Sequence, residues 1–217
     1  MSEMHRKAGE GTVERGYDRE EVKAGSALAR AVSLHLEGKG RDALRELERA
    51  VEGGESPKEI HAARGHIQFE LELYDEAAKS YELLLELEPT SNSAYFNLAV
   101  CQEKLGRWAE AAANFQRVVG ADNSRMDARL GLGICLLHMK HAERALECFE
   151  VCMEHGGESE TPLFGKAVAL ELLGRQEESA ALYEKILETN PQAEEPMSNL
   201  VHIGMRRNDV ASVQKWS

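Results

Sequence analysis

The chain has 217 residues, of which 42% are apolar and 29% charged, with a formal net charge of −12. That balance can bury a core in water, but it offers no basic stripe to displace counterions from nucleic acid or to meet an anionic membrane surface. No apolar run reaches the roughly 18–20 residues that span a bilayer, and the N-terminus lacks the apolar core of a secretory signal, so the chain is expected in the cytoplasm with its four cysteines as reduced thiols.

Residues 1–17 are polar and glycine-bearing without periodicity, and are expected to form a mobile N-terminal segment. Asp18, followed by Arg19, Glu20 and Glu21, can cap and open a first helix. From Ala24 onward the sequence repeats every 34 residues: 24–57, 58–91, 92–125, 126–159, 160–193 and a partial 194–217. Ala43, Ala77, Ala111, Ala145 and Ser179 mark the step. Four residues after each come Leu47, Tyr81, Phe115, Phe149 and Tyr183. Small residues recur earlier in each repeat, at Ala31, Gly65, Ala99, Gly133 and Ala167.

Each repeat reads as helix, tight turn, helix, turn. The turn inside the repeat falls at Gly38, Gly106 and Gly174, where glycine adopts positive φ at no steric cost. Glu72, Lys140 and Asn208 hold the same slot elsewhere, so those turns are expected to close differently. Between repeats, Pro89 and Pro191 mark breaks, and Ser56-Pro57-Lys58-Glu59 joins a cap serine, a first-turn proline and a glutamate at capping-box spacing. Pro162 and Pro196 fall in first turns, where a missing N–H costs little.

These residues resemble the tetratricopeptide repeat family, whose motif runs W-x2-L-G-x2-Y, A-x3-F, P. Leu132-Gly133 match its L-G pair and Leu98-Ala99 nearly so; Ala77/Tyr81, Ala111/Phe115 and Ala145/Phe149 match A-x3-aromatic; Pro89 and Pro191 match the final proline. The resemblance covers residues 24 to 217. Arg30, Arg64 and Lys166 replace the motif leucine, as long basic stems that can lie along apolar surface. The tryptophan slot holds Ala27, His61, Tyr95, Arg129, Leu163 and Met197, and the proline is absent at Glu55, Asn123 and Gly157. The resemblance implies an all-α fold: a right-handed α-solenoid of stacked antiparallel helix pairs, spanning 18–217, with a concave face. Small residues let the helices of a pair approach. The aromatic fills the gap to the next repeat, because no single pair can bury its own apolar face.

In this family the groove is lined by the first helix of each repeat. Carried onto this chain, the resemblance implies a partner-binding groove of Leu28, Val32, His66, Phe69, Phe96, Asn97, Val100, Leu130, Ile134, Leu137, Phe164 and Val168. Most are large and apolar, which suits an apolar or amphipathic partner segment, plausibly a helix. The competing reading is that they pack helix against helix. Asparagine at repeat position 6 occurs only at Asn97 and Asn199, so a ladder gripping extended peptide backbone is absent. The cations that relatives use to clamp a C-terminal carboxylate are missing too. Glu59, Asp127 and Glu195 form an acidic rim that favours a partner with some positive charge.

Cys148, Cys152 and His155 fall on one helical face at spacing compatible with zinc, but align with packing positions. Cys101 and Cys135 share one repeat position and read as packing; His138 and His141 bracket a turn. Gly9, Gly11 and Gly16 lack the strand and spacing of a phosphate loop. No catalytic motif is found. The expectation is a non-enzymatic protein-interaction scaffold without cofactor or metal, binding neither nucleic acid nor membrane interior. Ser217 stops inside a second helix, and Trp216 lies beside it. Two alternatives follow: the array is the interaction domain of a larger enzyme, or it self-assembles into a homo-oligomer through an open C-terminal end.

Overall fold

Twelve α-helices, taken two by two, make up the regular structure of a computed structural model that describes residues 25–156 and 159–216. The expectations for 1–17, Asp18 to Glu21, Gly157 and Ser217 lie outside those residues. The first helix of each pair is α1 (Ala27–Leu36), α3 (Pro57–Glu70), α5 (Asn92–Lys104), α7 (Met126–His138), α9 (Glu160–Leu172) and α11 (Glu194–Arg206). The second is α2 (Gly40–Glu52), α4 (Tyr74–Leu87), α6 (Trp108–Ala121), α8 (Ala142–Gly156), α10 (Gln176–Thr189) and α12 (Val210–Trp216). Second helices begin at Gly40, Tyr74, Trp108, Ala142, Gln176 and Val210, each 34 residues after the last. The chemical repeat in the sequence is therefore the structural one.

The packing separates into two compact blocks, with Asn123 ending the first and Ser124 opening the second. In the N-terminal block α1–α6 pair as α1 with α2, α3 with α4 and α5 with α6, while α2 against α3 and α4 against α5 join successive pairs. In the C-terminal block α7–α12 pair in the same way, joined through α8 with α9 and α10 with α11.

The repeating residues form the core. Ala43, Ala77, Ala111, Ala145 and Ser179 are fully buried, as are Leu47, Tyr81, Phe115, Phe149 and Tyr183. Two glycines show why the earlier slot must be small. A Cβ on Gly65 would stand 2.9 Å from the Tyr81 ring, and one on Gly133 would stand 3.0 Å from the Phe149 ring. On its other side Phe149 meets Gly165 of the following repeat, where an added Cβ would lie 2.5 Å from the ring. One aromatic thus fills the space between its own pair and the next first helix. Ser179, standing where the other repeats have alanine, satisfies its buried hydroxyl by donating to the Ala167 carbonyl at 2.8 Å.

The turns correct one expectation. Glu72, Lys140 and Asn208 do not close their turns differently: they take φ of 60°, 60° and 55°, beside 76°, 70° and 77° at Gly38, Gly106 and Gly174. All six sites make the same two bonds. Gly38 N–H donates to the His35 carbonyl and Lys39 N–H to that of Leu34. Lys140 N–H donates to Leu137 and His141 N–H to Leu136. This is the Schellman closure, satisfying two carbonyls that the helix end leaves open. The repeat geometry imposes it even where a Cβ makes the left-handed conformation unfavourable.

The capping box at Ser56 also fails to form, since Ser56 makes no side-chain cap bond at the start of α3. Pro57 occupies the first helical position there, so one orphan donor is already absent. The neighbouring Glu55 reaches back instead. Its carboxylate accepts from the Ala27 amide at 2.8 Å and the Leu28 amide at 3.1 Å, capping the start of α1 beside Ser26, which accepts from Ala29. Two of the basic residues in the motif-leucine slot find acids. Arg30 donates to Glu46 at 3.0 Å and Lys166 pairs with Glu150 at 2.9 Å.

Candidate partner-binding surface

The twelve groove residues all lie on first helices, and none is fully exposed. Leu28, His66, Phe96, Asn97, Val100, Ile134, Leu137 and Phe164 are buried; Val32, Phe69, Leu130 and Val168 are half-buried. The buried aromatics bear on second helices. The Phe96 and Phe115 rings meet edge to face at 5.8 Å, and Phe164 packs on Tyr183 at 5.6 Å. Apolar surface open to another molecule therefore comes from the half-buried four rather than from Phe96 and Phe164.

Residues outside that set add to it. Leu36 and Leu172, each one helical turn past Val32 and Val168, are 53% and 51% exposed. Both occupy position 13 of their repeats, a groove position in the family. Each block thus presents an i,i+4 apolar pair on a first helix: Val32/Leu36 on α1 and Val168/Leu172 on α9. Met205 on α11 is 61% exposed.

The first helices of the N-terminal block also bury polar side chains: His35, His66, Asn97, Gln102 and Glu103. Gln102 is tied across to α6, accepting from Asn114 at 2.8 Å and donating to Glu110 at 3.2 Å. Burial pushes the Glu103 carboxyl up to about 7, with Lys104 pulling weakly the other way. On the acidic rim, Glu59 and Glu195 are half-buried, while Asp127 is engaged by the Arg125 fork at 2.8–2.9 Å. Burial raises the Asp127 carboxyl, but that fork and the Ala128 amide together hold it below its ordinary value.

The cysteines are packed into the helix pairs. All four are buried. Desolvation raises Cys101 to about 12 and Cys152 to about 11, and also raises Cys148. His155 is exposed and its Nδ1 lies 3.0 Å from the Val151 carbonyl, so it turns back on its own helix. Among the described residues, the groups close enough to hold a metal lie elsewhere: His35, His66 and Glu70. Among the described residues, no helix is long and apolar enough to cross a membrane.

Family models for the tetratricopeptide repeat match residues 28–92, 62–125, 104–159 and 163–193. The chain is 32% identical over 96 residues to Superkiller complex protein 3 of Homo sapiens, a match covering 38% of this chain and 6% of that protein. It is 25% identical over 139 residues to Hsp70-Hsp90 organizing protein 1 of Glycine max, covering 63% of this chain and 24% of that one. It therefore spans under a quarter of the length of either relative. The solved structure of YrrB, a TPR protein with an unusual peptide-binding site, is similar with a TM-score of 0.73 at 20% identity, covering 82% of this chain and 93% of that one. That likeness bears on the fold. With the motif residues buried in register, helix starts in step and repeat matches running from residue 28 to 193, the chain belongs to the tetratricopeptide repeat family.

Proposed function

We propose that this protein is an interaction scaffold that holds an apolar or amphipathic segment of another protein along its first helices. The observation that carries the reading is the pair of accessible apolar steps, Val32/Leu36 and Val168/Leu172, each on a first helix and each one turn long. Accessible apolar steps of this kind offer surface on which an amphipathic helix can lay its apolar face. Family membership supports an interaction role, and the peptide-binding site of YrrB is consistent with a segment as ligand. The twelve groove residues divide into a buried floor and a half-buried lining; the lining and the two exposed leucines make the contact. The raised thiols and the absence of a catalytic motif in the sequence favour a non-enzymatic role. A cytoplasmic setting fits the chain, and the missing carboxylate-clamp cations argue against a partner gripped by its C-terminus.

The test is affinity capture from native lysate with three proteins: the natural chain, L36E with L172E, and a control L83E with L87E. Leu83 and Leu87 form an exposed i,i+4 pair on the second helix α4. All are surface changes, expected to move stability by less than about 0.5 kcal/mol. The first double variant loses captured partners and the control keeps them. If the first keeps every partner while folded, or the control alone loses them, the reading is wrong. Val210 and Met205, 63% and 61% exposed on the final helix pair, make a second copy of the chain the rival occupant. Sedimentation at several concentrations separates the two.

A further inference from the structure

We propose that His35, His66 and Glu70 form a binding site for a divalent late transition-metal ion, with zinc as the representative. His35 sits in the last turn of α1, while His66 and Glu70 stand one turn apart on α3. Neither helix holds the set alone. Position 12 of one repeat and positions 9 and 13 of the next meet only because the two pairs stack within the N-terminal block.

The geometry suits a small, borderline-soft cation. His35 Nε2 lies 3.4 Å from one Glu70 oxygen and His66 Nε2 lies 3.2 Å from the other. The ligand atoms of all three residues fall within 4.8 Å of one another. Zinc bonds of about 2.0–2.1 Å at tetrahedral angles place neighbouring ligand atoms about 3.3 Å apart. Each histidine–carboxylate separation is already of that length, though to a different Glu70 oxygen, so a turn of the carboxylate and an approach of the two imidazoles completes the polyhedron. The rings are set edge to face with centroids 5.2 Å apart, so both Nε2 atoms converge on the carboxylate.

Two nitrogens and one oxygen form a donor set for zinc, copper, nickel or iron rather than for calcium or magnesium, which take oxygen alone. Packing surrounds the imidazoles, with His35 8% and His66 4% exposed, which fixes their orientation. The Glu70 side chain is half exposed, giving an ion a route from solvent and leaving a fourth position for water. The more obvious cysteine-bearing candidate lacks this convergence, because His155 turns away onto its own helix.

Isothermal titration of the metal-depleted full chain with zinc, alongside cobalt(II) absorption as a report of four-coordinate geometry, tests the site. One equivalent binds, cobalt gives intense visible bands, and both E70Q and H35Q weaken binding at least about tenfold. C148S with C152S leaves binding unchanged. E70Q alters an exposed group and keeps the fold, so it decides the matter if H35Q does not fold, with far-UV circular dichroism as the check. No saturable binding, binding that E70Q leaves intact, or binding lost in the cysteine variant would each overturn the proposal.

Discussion

The N-terminal and C-terminal blocks are built on one backbone plan, yet among the described residues the first helices of the N-terminal block alone bury polar side chains beside their apolar ones. In α1, α3 and α5 the buried residues include two histidines, an asparagine, a glutamine and a glutamate. In α7 and α9 they are glycine, alanine, leucine, isoleucine, cysteine, phenylalanine and proline. Ser179 is the buried polar residue of the C-terminal block among those described. The helices still start in the same step and end in the same turns. The frame is therefore carried by the small slot and the aromatic slot, while the remaining face of each first helix is free to vary. Polar burial in one block needs local satisfaction, such as the Gln102–Asn114–Glu110 bridge; tight burial in the other needs only shape.

The largest expected effect tests the polar side of this contrast. A carboxyl raised from about 4.5 to about 7 in the folded chain binds its proton more tightly there than when unfolded. Stability thus declines as pH rises from below the unfolded value through the folded one, by up to about 3 kcal/mol. E103Q removes the penalty. Denaturation curves should coincide near pH 4 and separate above pH 7 with the variant more stable. Curves that coincide at both ends would mean Glu103 ionises freely, and the N-terminal block carries no special cost.

Steric fit should fail most in the C-terminal block. G165A drives a methyl to 2.5 Å from a buried ring, whereas G65A meets Tyr81 at 2.9 Å. Overpacking of this kind costs about 1–3 kcal/mol, and G165A should take the upper part of that range by denaturant midpoint. Equal losses at the two glycines would erase the distinction between the blocks.

The smallest effect should be common to both. E72G and K140G each replace a side chain held at a φ of 60° by the residue that tolerates it. A gain of about 0.5–1 kcal/mol is expected at each, after the larger chain entropy of glycine is subtracted. A loss in thermal stability at either would show that its side chain supports the turn.

The architecture was legible because the chain reports it five times over: Ala43/Leu47 through Ser179/Tyr183 keep their spacing, and spacing survives when residue identities drift. The turns at Glu72 and Lys140 were misread because a glycine rule is local, whereas their conformation is set by the helices on either side. The metal candidate was missed for a different reason. Sequence inspection found Cys148, Cys152 and His155 by looking along one helix, while His35 and Glu70 are brought together across two repeats. Leu36 and Leu172 could have been found from register alone, but their exposure depends on what packs over position 13.

The carboxylate of Glu55 has a consequence for where the protein can be cut. It lies beyond the end of α2, yet it closes the opening turn of α1 from 28 residues downstream. A fragment trimmed to the first helix pair would leave the Ala27 and Leu28 amides without that acceptor. The shortest self-sufficient piece at this end accordingly runs past the end of α2 to Glu55, and the leading pair borrows its beginning from the segment that introduces its successor.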